Sequence, residues 1–148
     1  MPDTGGRYIS VAVFCEKVLR EGDGGLSLIR IFDRYSVPAP SPQTPPANIP
    51  LNVVVLLRSG MFRGPATLKI RPVSPSEQQL STLEFPVNFE GDNERGAAII
   101  LNMGFAPPEQ GLYWFDIILD DELITRIPLR VLFQRMGPVV GGPPTPPK

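Results

Sequence analysis

The stretch Gly111–Phe133, GLYWFDIILDDELITRIPLRVLF, decides the fold. Its first half sets Tyr113, Phe115, Ile117 and Leu119 on one parity, and a period of two marks a strand. Its second half sets Leu123, Ile127, Leu129, Val131 and Phe133 on one parity, with Arg126, Pro128 and Arg130 opposite. Asp120, Asp121 and Glu122 lie between the halves. Aspartate enters the left-handed conformation of tight turns more readily than most non-glycine residues. The stretch therefore reads as a β-hairpin, the closing pair of a larger β-structure.

Working outward, the same alternation recurs along the chain. In YISVAVFCEKVLRE, Ile9, Val11, Val13 and Cys15 share the apolar parity. The glycines of Gly22–Gly25 supply a turn, and LSLIRIFDRYSV continues as the second arm of a hairpin. LNVVVLLRS (51–59) is almost continuously apolar, as expected for a central strand. ATLKIRPV turns Ala66, Leu68 and Ile70 inward. STLEFPVNFEG turns Leu83, Phe85, Val87 and Phe89 inward, and Pro86 on the other parity marks an edge strand or a bulge. GAAIILNMGF is a further strand. The only helical candidate, SPSEQQLST, is short.

About seven to eight strands separated by turn signals, with no 3.6-residue period, predict an all-β, antiparallel Ig-like β-sandwich. The proline-rich segment Pro38–Pro50 cannot be a central strand or a helix, and it reads as the loop from one sheet to the other. The expected organisation is a flexible N-terminus over 1–6, one sandwich domain over 7–135 and a disordered Pro/Gly-rich tail over 136–148.

Composition narrows the chemistry. The chain of 148 residues has no histidine and one cysteine. Ser-His-Asp and Cys-His catalysis and imidazole metal sites are thus ruled out, and so is a thiolate zinc site within one chain. A net charge of −1 gives no electrostatic case for nucleic acid. No apolar run approaches the length of a membrane helix and no signal peptide is visible, so no membrane partner is expected and the cytoplasm is the expected compartment. No dinucleotide, phosphate-loop or nucleophile-elbow motif occurs.

Several residues invite a functional reading, each with a plainer one beside it. Cys15 reads as a buried structural thiol, because no histidine base exists to activate it. Asp120, Asp121 and Glu122 could contribute to a calcium site with acids such as Asp92 and Glu94 from another loop, but a solvated turn explains them first. Glu84 and Glu90 lie too far apart on one strand for glycoside hydrolysis. Lys69, Arg71, Arg126 and Arg130 form a basic stripe if their strands are neighbours. Trp114, on the parity opposite Tyr113, is an interface candidate with Leu112 and Ile118, and so are Met61, Phe62, Arg126 and Arg130. Pro86 and Pro128 are positioned to guard sheet edges. The tail motif Pro143-x-x-Pro146 matches polyproline ligands in form, and simple disorder explains it first.

The opening hairpin pattern, the strand beginning Gly111-x-Tyr113-x-Phe115 and the closing RIPLRV (126–131) together resemble a family of uncharacterised bacterial single-domain proteins, classed as a domain of unknown function. The resemblance implies a cytoplasmic β-sandwich and brings no catalytic residues. The sequence thus points to a non-catalytic protein-interaction or structural module without cofactors, its partner another protein or its own copy. The alternative is a ligand- or carbohydrate-binding sandwich, with or without calcium, using Trp114, Tyr35 and Phe62.

Overall fold

The structure, a computed structural model, describes residues 7–39, 48–91 and 96–135. The segments expected to be a flexible N-terminus, most of the proline-rich loop, the loop bearing Asp92 and Glu94, and the tail lie outside the described residues. Among the described residues there are nine strands: β1 (Tyr8–Arg20), β2 (Leu26–Phe32), β3 (Arg34–Ala39), β4 (Ile49–Arg58), β5 (Arg63–Val73), β6 (Leu83–Glu90), β7 (Gly96–Phe105), β8 (Gly111–Leu119) and β9 (Glu122–Arg135). They form two sheets, with strand orders β2-β1-β4-β7 and β3-β9-β8-β5-β6. All neighbours are antiparallel except β3 and β9. The chain is an Ig-like β-sandwich.

The expected second arm of the first hairpin is in fact two strands. The chain bends at Asp33, and the arm changes sheet there. Residues before Asp33 pair with β1, and those after it pair in parallel with β9. The Asp33 carbonyl accepts the Arg130 N–H at 2.8 Å, which fixes the crossing. This split accounts for the ninth strand. It also puts β3 and β4, the strands flanking the proline-rich segment, in different sheets, as a bridging loop requires.

Two bulges alter the expected parities. A register shift between Ile9 and Val11 turns Ala12 and Phe14 toward the core, so Val11, Val13 and Cys15 fall on the outer face of the first sheet. A second shift, at Ile117/Ile118, pairs Ile118 with Leu123 and carries Leu123 to the surface, half exposed at 51%. An inserted residue flips every side chain beyond it, so alternation alone cannot locate it. The remaining parities stand: Ala66, Leu68, Ile70, Val87, Phe89, Tyr113, Phe115, Ile117, Leu119, Ile127, Leu129 and Val131 are all buried in one core. β6, with Pro86, is an edge strand. SPSEQQLST forms no helix. It is a turn, closed by the Ser74 N–H to the Gln78 carbonyl at 2.9 Å.

The Gly111-x-Tyr113-x-Phe115 pattern has a structural cause. Gly111 sits at φ 135°, and a Cβ there would lie 2.7 Å from the Pro75 ring. Two residues on, the buried Tyr113 hydroxyl donates to the Glu109 carbonyl and accepts the Glu109 N–H at 3.0 Å. This is a tyrosine corner, a hydroxyl tied to backbone a few residues upstream. Burial pushes the Tyr113 phenol pKa up, the Glu109 backbone bond opposes this, and the Glu109 charge adds to it. We expect Tyr113→Phe to lower stability by about 1–3 kcal/mol in urea denaturation, because two backbone groups lose their partner.

Candidate functional site

The outer face of the second sheet carries most of the side chains that the sequence singles out. Leu112, Trp114 and Ile118 on β8 lie beside Arg126 and Arg130 on β9. Trp114 is half-buried, with the Arg126 guanidinium 5.0 Å from its ring centre, and Ile118 is buried. The basic residues do not make a stripe. β8 separates β5 from β9, and its buried Asp116 accepts from Arg126 at 2.7 Å and from Arg71 at 3.2 Å. Lys69 is paired with Asp121 at 3.0 Å and with Glu84 at 3.5 Å. Three of the four basic residues are thus held in ion pairs on this face, and Arg130 is exposed beside Leu112.

The acidic turn is a two-residue hairpin turn. Asp120 and Asp121 have φ of 48° and 66°, the left-handed pair that such a turn needs. The Asp120 carboxylate accepts the Thr67 N–H at 2.9 Å and pairs with Arg7, while the Asp120 N–H donates to the Thr67 carbonyl at 3.0 Å. Asp121 is taken by Lys69. Among the described residues no three His, Cys, Asp or Glu side chains gather as a metal site. Met61 and Phe62 sit apart from this face, in the turn between β4 and β5. Met61 is 77% exposed, and Phe62 lies between Arg7, 4.0 Å above its ring, and Phe89.

Cys15 is buried on the outer face of the first sheet. Burial pushes its thiol pKa up, opposed by a backbone hydrogen bond from Lys17, so it is not an activated nucleophile. Asn52 and Asn102 lie across from it, and to one side that face is apolar: Val11 and Val13 on β1, Val54 and Leu56 on β4, and Ile100 on β7. At its border Ile29 and Ile31 are exposed at 43% and 58%. Outward positions of a solvated sheet are ordinarily polar. A separate cleft of about 670 Å³ opens where the chain changes sheet, beside Phe32, Tyr35 and Asn52, and its Arg30 is paired with Glu16 at 3.3 Å.

The feature that sequence reading missed is an edge. β7 borders the first sheet, and among the described residues no strand pairs with its far side. It runs for 10 residues, GAAIILNMGF, without a charge or a proline. Its inward side chains Leu101, Met103 and Phe105 face Leu80, Leu83 and Phe85 across an open groove of about 630 Å³ between the two sheets. The other exposed borders are guarded. β6 carries Glu84, Pro86 and Glu90, and the short β3 carries Arg34 and Pro38. β2 carries Arg30 at φ 55°, and the part of β9 beyond the reach of β3 carries Pro128. Alternation reveals β7 as a strand, but its place at a border depends on topology.

Residues 10–132 match a family of unknown function, DUF6941. The chain belongs to this family. No curated protein matches it. Among solved structures, this DUF6941 chain is similar to an immunoglobulin-like protein from Pseudomonas aeruginosa, at 17% identity and a TM-score of 0.40, over 87% of this chain and 98% of that one. It is also similar to the CARDB domain of a Pyrococcus furiosus protein in complex with di-metal ions, at 8% identity and a TM-score of 0.40, over 89% and 98% of the two chains.

In this DUF6941 member the turn acids bear on stability. The hydrogen bond from Arg7 chiefly, then the Thr67 N–H and the Arg7 charge, hold the Asp120 carboxyl below its ordinary pKa against a smaller desolvation cost. A depressed carboxylate stabilises the folded state above its unfolded pKa and loses that contribution as pH falls through the folded value. We expect the melting temperature to fall below about pH 4, and Asp120→Asn to flatten that part of the profile. An unchanged acid limb in the variant would count against this role.

Proposed function

We propose that the chain is a non-catalytic protein-interaction module that binds an extended segment of protein along β7. The observation that carries this reading is the contrast among borders: β7 alone among those described has neither charge nor proline. Edge strands expose unpaired N–H and C=O groups, and folded proteins normally blunt them with charge, proline or irregularity. An edge left open over ten residues, with a hydrophobic groove along its inner side, suits strand addition. Main-chain hydrogen bonds then give affinity and pockets for alternate side chains give selectivity. The missing histidine, the inert Cys15 and the paired acids and bases support binding over catalysis.

The test uses a peptide of residues 96–105 with lysines added at both ends for solubility. We expect it to bind and to slow amide hydrogen exchange in β7. A version with proline at the positions of both Ile100 and Leu101, which removes a donor from each parity, should not bind. Protection elsewhere, or equal binding of the two peptides, would remove β7 as the site.

A further inference from the structure

Resting on that reading, we infer that the segment β7 receives is β7 of a second copy of this chain, joined antiparallel about a two-fold axis. The groove sets the requirements. It needs an uncharged extended strand that presents apolar side chains at every second position, to lie over Leu101, Met103, Leu83 and Phe85. β7 meets them itself. Ala97, Ile99, Leu101 and Met103 already occupy the inward parity and pack against the core. A two-fold antiparallel pair whose registers sum to an even number sets inward residues against inward residues, so the second copy covers the groove of the first and has its own covered in return.

The outer face fits the same occupant. Leu56 and Ile100 are partly exposed beside this border, and a symmetric pair makes their apolar surface continuous from one subunit to the next. With no charge on the strand, identical sequences meet without the like-charge penalty that opposes self-pairing of ordinary edges. Isologous contact closes after two copies, so the assembly ends as a dimer and does not grow into a fibre.

Centred on Ile100, the pair sets Ala98 opposite Asn102 of the partner subunit. Both are exposed on the outer face, so the double variant Ala98→Glu/Asn102→Glu tests the contact with little risk to the fold. We expect the wild-type chain to be a dimer by light scattering coupled to size-exclusion chromatography. The glutamate variant should be a monomer with an unchanged far-ultraviolet circular dichroism spectrum. An equimolar mixture with Ala98→Lys/Asn102→Lys should recover the dimer through opposite charges. A wild-type chain that stays monomeric at high concentration while still binding the 96–105 peptide would overturn the self-pairing and leave strand addition standing. A dimer that the glutamate variant does not weaken would overturn the self-pairing by placing the contact on another face. If the glutamate variant unfolds, the lysine variant on its own decides: a folded monomer supports the contact, and an unaltered dimer refutes it.

Discussion

The molecule turns on one cluster of rings between its sheets. Phe14 of β1 meets Phe115 of β8 edge-on at 4.8 Å, and Phe105 at the end of β7 meets Phe115 and Tyr113, each at 5.2 Å. Such pairs contribute about 0.5–1.5 kcal/mol each beyond the area they bury. They also set direction. Tyr113 can stand in the cluster because Gly111 takes a backbone conformation open to few residues and the hydroxyl is satisfied at Glu109. Phe105 anchors the far end of β7 to the opposite sheet. The rest of β7 hydrogen-bonds to β4 alone among the described strands, and so the border beside the groove stays open.

The same geometry explains what the sequence could and could not reveal. Period-two alternation located the strands and nearly the whole core, because burial on one face selects apolar residues at every second position. It failed where an inserted residue resets the count. Val11, Val13 and Cys15 look like core residues, and Leu123 looks like a partner of Ile127, until the bulges are placed. The sheet change at Asp33 was equally hidden, since LSLIRIFDRYSV carries no proline or glycine at the bend. Neither sheet order nor borders follow from local pattern, so the character of β7 emerged only with the topology.

The two outer faces differ in kind. On the second sheet Asp116 sits buried between two arginines, one of them over Trp114. Docking a partner there means stripping water from charges already paired within the chain, a cost that ion pairs seldom recover. The sequence had made Trp114 the more inviting surface. Its guanidinium cover makes it part of the ion-paired surface over the core. The first sheet is the reverse. The centre of its outer face, Val11, Val13, Leu56 and Ile100, is aliphatic, and its β7 border has no built-in guard.

An apolar face and an open border would each be a liability alone. Together, on one sheet and meeting at Ile100, they are coherent. In the proposed pairing a strand added at β7 extends the sheet, and the added subunit brings the same outer face to the junction. Guarding β7 with a lysine or proline would have been a small change in sequence, as β6 and β9 show with Pro86 and Pro128. Three borders of this small sandwich, β2, β3 and β6, carry such devices and β7 carries none, and the proposed pairing at β7 rests on that contrast.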